Sequence, residues 1–186
     1  GQQGEPGEQG EEGPEGRTGA PGTSGSNKMD TVLLLPADAN LPSSSPAIPD
    51  LGSNTHRILF DDATDESVNW TNIKIKNYAS GALTARVGYS MTSAITNDII
   101  FNVEMWCVSD GDVADIDSES YDAINATTAI TVPGTAGNLG EFTITLTNTD
   151  SITEDDVCAF RLTRDADNVT DDATGDAEVR YLEISE

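Results

Sequence analysis

Five aspartates, Asp165, Asp167, Asp171, Asp172 and Asp176, crowd twelve residues near the C-terminal end of the sequence. Carboxylate oxygens at this density are the hard ligands that calcium takes, so this stretch is the candidate metal site. Its spacing departs from the EF-hand loop, which needs Gly at its sixth position and Glu at its twelfth, and from the Gly-Gly-x-Gly-x-Asp repeat. A second group, Asp110, Asp112, Asp115 and Asp117, departs in the same way. The competing reading is a pair of solvated acidic loops. With 33 acidic against 9 basic residues and a net charge of −24, that reading is the stronger one. The same charge excludes nucleic acid as a partner, because phosphates need Lys and Arg. His56 is the single histidine, so no cage of histidines can hold a metal. No G-x-S-x-G, H-E-x-x-H or phosphate-loop motif occurs. Any pair of carboxylates chosen for glycoside cleavage from 33 acids would be arbitrary. The chain is therefore expected not to be an enzyme.

Two further residue types could bind or link. Cys107 and Cys158 both fall on the inward set of a strand pattern, where they could pair if the strands are neighbours or stand as two buried thiols. Trp106 falls on the opposite set, beside Asn102 and Glu104. A tryptophan facing outward from a strand calls for cover. Burial against another subunit is expected, with a sugar-stacking platform as the alternative. Trp70 reads as core.

The elements that must position these residues are strands. Leu83, Ala85, Val87, Tyr89 and Met91 alternate with Thr84, Arg86, Gly88 and Ser90. The same period of two runs through 99–107, 142–146 and 158–162, and shorter apolar runs mark 57–60, 67–76, 128–132 and 178–185. Residues 31–35 form an apolar first strand or anchor. Pro36, Pro42, Pro46 and Pro49 then predict ordered coil crossing the domain surface. No window shows a helical stripe. Eight to ten short strands predict an antiparallel β-sandwich, jelly-roll-like, over 56–186, with 28–55 as a first strand and connecting segment. No apolar run approaches the roughly 20 residues of a membrane-spanning helix, and no secretion-signal pattern is visible. The sequence opens on Gly1 rather than Met, which reads as a processed form or a fragment of something longer.

Ahead of the sandwich, Gly1, Gly4, Gly7, Gly10, Gly13, Gly16, Gly19, Gly22 and Gly25 recur every third residue without a miss. This is the collagen pattern, in which three polyproline-II chains wind together and only Gly fits on the axis. Residues 1–27 therefore predict a triple-helical stalk of roughly 80 Å, at about 3 Å per residue, and a homotrimer. Pro6, Pro14 and Pro21 are few for such a helix, and Glu5, Glu8, Glu11, Glu12 and Glu15 face only Arg17. A stalk this weak needs the head to hold three chains in register. A flexible Gly-rich linker is the alternative.

Several pieces of the remaining chain resemble phage-encoded virion β-domains: Leu33-Leu-Leu-Pro36, Leu59-Phe-Asp-Asp62, Thr64-Asp-Glu-Ser-Val-Asn-Trp70, Thr84-Ala-Arg-Val-Gly-Tyr-Ser90 and Arg164-Asp-Ala-Asp-Asn168. The resemblance implies a jelly-roll head of a tail or capsid fibre on the virion surface. It also implies other virion proteins as partners and a host surface glycan or protein as the contact. It implies free thiols at Cys107 and Cys158 too, since virions assemble in a reducing cytoplasm. The alternatives are a decoration fibre without a receptor and a secreted, extracellular collagen-like lectin of a bacterium or archaeon.

Overall fold

The computed structural model describes residues 1–4 and 28–186. Gly1 and Gly4 are exposed. The other glycines of the triplet pattern, Gly7 to Gly25, lie outside the described residues, and so does nearly all of the expected stalk.

Twelve strands form the head: β1 (Val32–Leu34), β2 (Ile48–Asp50), β3 (Arg57–Phe60), β4 (Glu66–Lys74), β5 (Leu83–Met91), β6 (Asp98–Ile99), β7 (Phe101–Val108), β8 (Asn125–Ala126), β9 (Ile130–Thr131), β10 (Gly140–Leu146), β11 (Val157–Arg164) and β12 (Ala177–Ser185). The only helical element among the described residues is one 3-10 turn, Pro36–Asp38. A six-stranded sheet runs β10-β5-β12-β3-β2, with β1 also on β12; a four-stranded sheet runs β4-β11-β7-β8; β6 and β9 pair separately. Every strand pair is antiparallel. The all-β sandwich predicted from alternation is the observed architecture.

Alternation places the core. Ala85, Val87 and Tyr89 of β5, Phe101, Val103 and Met105 of β7, and Phe160 and Leu162 of β11 all turn inward and are buried. Phe101 sits at the centre, edge-on to Phe60 and stacked on Phe142, with ring centroids 5.5 and 5.4 Å apart. Such pairs add about 0.5–1.5 kcal/mol each beyond the area they bury. Trp70 is core as expected, and its indole N–H donates to the Leu35 carbonyl at 2.8 Å. That bond fixes the Pro-rich segment as it crosses the sandwich edge, helped by bridges from Asn40 to Asn69 and from Pro46 to Ser67. Residues 28–55 are thus built into the head and contribute β1 and β2 to the larger sheet.

Two sequence expectations change. The apolar run 128–132 shrinks to the two residues of β9, and β2, β6 and β8 are too short to leave a periodic signal. Cys107 and Cys158, expected as free thiols, form a disulfide. They stand directly opposite each other on β7 and β11, with Cα atoms 4.1 Å apart, a register that brings two inward side chains into bonding range. Buried charge also has a place in the fold. Arg164 is fully buried and forks onto Asp171, with Nη2 to Oδ1 at 2.8 Å and Nε to Oδ2 at 3.1 Å. Its remaining N–H groups donate to the Phe60, Ala173 and Gly175 carbonyls.

The head has two distinct ends. At one, the chain joins at Met29, whose backbone N–H donates to the Glu186 carboxylate at 2.8 Å; the Gly81 N–H donates to the same carboxylate at 2.6 Å. These donors, Met29 first, hold the Glu186 carboxyl below the usual range. At the other end lie the start of β12, the end of β11 and the 165–176 loop.

Candidate functional site

The outer surface of the six-stranded sheet carries a cleft of about 530 Å³. That falls within the range of about 300–1,000 Å³ common for small-ligand sites. Four parts of the chain line it. The loop between β2 and β3 brings Asn54, Thr55 and His56, β5 brings Ser90, the loop before β10 brings Leu139, and β12 brings Arg180 and Tyr181.

A β-bulge accounts for the last pair. Along β12 the pairing with β5 slips between Val179 and Tyr181. Val179, Leu182 and Ile184 stay in the core while one extra residue is taken up between them. A bulge re-aims the side chains beside it, so Arg180 and Tyr181 both reach the outer face. Tyr181 lies across β5 at Gly88, where an added Cβ would collide with the ring. Glycine is required there for close approach rather than for conformation. The Tyr181 hydroxyl donates to the Glu141 carboxylate, and this bond pushes the phenol pKa up to about 12. The hydroxyl therefore keeps its proton at any physiological pH.

Beside the ring, Arg180 donates to Thr55 Oγ1 at 2.6 Å, to Ser90 Oγ at 2.9 Å and to Glu178 Oε2 at 2.7 Å. Ser90 in turn donates to Glu178 at 2.6 Å, and Arg57 donates to the other Glu178 oxygen at 2.5 Å. The carboxylate is nearly buried beneath these partners, which compensate its desolvation. Arg57 also holds Asp50, whose carboxyl sits below its ordinary range through the Gly52 N–H first and the guanidinium second. Among the described residues, no acidic side chain lines the cleft, in a chain with 33 of them. A smaller cavity of about 290 Å³ adjoins it across His56, lined on its far side by Pro36, Pro49 and Leu51. The arrangement offers an aromatic and an aliphatic surface, Tyr181 and Leu139, beside a rim of fixed hydrogen-bonding groups.

The other outer face is closed. Trp106 is only 5% exposed and packs with Val108, Ala159 and Tyr121. Tyr121 arrives on the long loop after β7, and the Arg161 guanidinium lies 3.8 Å from its ring centroid. Arg161 also donates to Asn69 at 3.1 Å and faces Glu104 at 3.8 Å. Burial raises the pKa of Glu104, and Arg161 partly offsets this. The cover expected for Trp106 from a neighbouring subunit is supplied by its own chain.

The predicted aspartates divide among several roles. Asp165 and Asp167 come within 4.8 Å of each other and of Asp65, a residue the sequence reading did not connect with them. The Asp65 charge raises the pKa of Asp167. The three bring together one oxygen each at this distance, against the six to eight that calcium takes. Asp171 is the partner of Arg164 and also accepts from the Ile100 N–H at 2.9 Å. Asp172 accepts from the Asp98 N–H at 2.9 Å. The pKa of Asp176 is raised, by burial first. In the second acidic group, Asp112 and Asp115 bond the backbone of their own turns.

Sequence reasoning missed Arg180 and Tyr181. A signal existed: Val179, Leu182 and Ile184 are spaced three then two, a break in alternation that marks a bulge. Nothing local marked Asn54 or Leu139.

No protein-family model matches the chain, and no curated protein matches it in sequence. Among solved structures it is similar to a family 35 carbohydrate-binding module from Clostridium thermocellum, at 13% identity over 83% of this chain and 97% of that one, with a TM-score of 0.48. It is similar to the C-terminal family 6 module of a marine laminarinase from Zobellia galactanivorans, at 10% identity over 84% and 100%, with a TM-score of 0.46. An arabinose-bound α-L-arabinofuranosidase matches over 80% of this chain and 23% of its own, at 12% identity and a TM-score of 0.49. At these identities the likeness concerns the fold. The expectation of a virion fibre contacting a host is corrected here: the similar structures are carbohydrate-binding modules and a glycosidase. The pieces that resembled virion domains are parts that build the sandwich. Asp61 caps the turn to Thr64, Asp62 accepts from Gly175, and Trp70 fills the core.

Proposed function

We propose that this chain is a lectin-like glycan-binding module, a binding protein rather than an enzyme. The observation that carries the reading is the cleft on the six-stranded sheet. A sugar ring has an apolar C–H face and a rim of hydroxyls. Tyr181 and Leu139 match the first, and Asn54, His56, Ser90 and Arg180 match the second. The donors around Arg180 are held by their own hydrogen bonds, so a ligand meets groups already in place. The Cys107–Cys158 disulfide supports an extracellular, oxidising setting. The glycine triplets of residues 1–27 support a collagen-like stalk carrying three heads. Three heads on one stalk would turn weak single-site binding into stable attachment through effective concentration.

The test is a glycan array probed with the full chain, followed by titration of the best oligosaccharide against wild type and Arg180→Gln. The reading expects saturable binding, weakened about tenfold, or about 1.4 kcal/mol, in the variant. Absence of any bound glycan, or equal affinity of the two proteins, would contradict it.

A further inference from the structure

Eleven large apolar side chains stand exposed among the described residues, and five of them, Leu33, Leu35, Leu41, Ile48 and Leu51, come from residues 33–51. The same segment is low in acid. Residues 33–51 contain two, Asp38 and Asp50, in a chain that carries 33.

Topology places the segment along one border of the head. β12 has β5 on one side, and on the other it carries β1 beside residues 182–184 and β3 beside residues 177–179, with β2 outside β3. Leu33 pairs with Glu183 and Ile48 pairs with Leu59, positions that face outward from the sheet. Leu51 follows β2 and is 70% exposed. The border begins where the chain joins the head. Met29 is buried and tied to Glu186, and the Asp30 N–H donates to the Lys76 carbonyl at 2.9 Å, so the junction is fixed.

We propose that this border, Leu33 to Leu51, is the surface on which two further copies of the chain pack. The proposal rests on reading the glycine triplets as a triple helix, which requires three chains around one axis. Gly25 is the last in-register glycine, and Met29 follows four residues later. Four residues span at most about 14 Å, so all three junctions are held close to the axis, and β1 leads directly away from each. Three chains of −24 repel one another wherever their acids meet. An apolar border with few acids approaches a copy of itself at low electrostatic cost, while gaining burial of its leucines.

The test uses the full chain with single substitutions Leu33→Cys, Ile48→Cys and, as a control in the exposed 165–176 loop at the other end of the head, Val169→Cys. Each is treated with a short bis-maleimide cross-linker, beside sedimentation mass and circular dichroism of the wild type. The expected result is a mass three times 19.6 kDa, with covalent dimers, the most that one thiol per chain allows, from Leu33→Cys and Ile48→Cys and none from Val169→Cys. A triple-helix spectrum with cross-links from Val169→Cys alone would overturn the surface while leaving the stalk. Cross-links at the border without that spectrum would support the surface and remove the stalk. A monomer would overturn both. Matching thermal melts confirm that each variant folds. None of these outcomes bears on glycan binding by a single head, so this proposal and the lectin reading fail separately.

Discussion

On the outer face of the four-stranded sheet, Trp106 lies under Tyr121, with the Arg161 guanidinium stacked on Tyr121. On the outer face of the six-stranded sheet, Tyr181 and Arg180 line an open cleft. Both faces pair aromatic side chains with an arginine that is hydrogen-bonded to its surroundings. They differ in what lies above. The loop after β7 folds back over the first face and is pinned there, with the Asp122 N–H donating to the Met105 carbonyl and the Asp122 carboxylate accepting from the Asp150 N–H. The loops around the second face stand at its rim. The comparison teaches that residue type on a strand does not define a binding surface. An aromatic covered by its own loop contributes to stability, and one left uncovered beside fixed donors is free to contribute to recognition.

Four substitutions or conditions test that division. Trp106→Ala should cost about 3–5 kcal/mol in chemical denaturation, the range for a large aromatic removed from a packed site, and leave glycan affinity of the folded protein unchanged. A loss of affinity would erase the distinction between the faces. Replacing both Cys107 and Cys158 with Ala, which opens the link between β7 and β11, should cost about 2–4 kcal/mol. It too should spare the cleft. Acidity should act on the closed face through Glu104. Its folded pKa is raised by burial, so the stability it contributes is fully present below the ordinary glutamate value and is lost as pH rises through the folded one. Melting temperatures measured from acid to neutral pH should therefore shift in favour of wild type over Glu104→Gln as pH falls. The opposite slope would place Glu104 in a solvated ion pair. Arg161→Lys, which keeps the charge and loses the planar stack, should cost about 0.5–1 kcal/mol, the smallest effect of the set.

How far the sequence reveals this molecule follows from the range of each interaction. The strands of 83–91 and 99–107 are legible because one face is buried along their length, which imposes a period of two. Trp70 in the core and Trp106 on the opposite face from Met105 follow from the same rule. The cover over Trp106 is not legible, because Tyr121 comes from a loop with no period. The pairing of Cys107 with Cys158 depends on the register of two strands 51 residues apart. The meeting of Asp65 with Asp165 and Asp167 depends on where β4 begins and β11 ends. The cleft is built from four separate parts of the chain, and only the broken alternation at Arg180 and Tyr181 left a local trace.

The central claim is that the open face binds a glycan through Tyr181. Calorimetric titration of the best array oligosaccharide into wild type, Tyr181→Ala and Trp106→Ala, each shown to be folded, tests it most directly. The account predicts that Tyr181→Ala weakens binding at least about tenfold, or about 1.4 kcal/mol, while Trp106→Ala binds as wild type does. Equal affinity of Tyr181→Ala and wild type, or loss of binding only in Trp106→Ala, would contradict it.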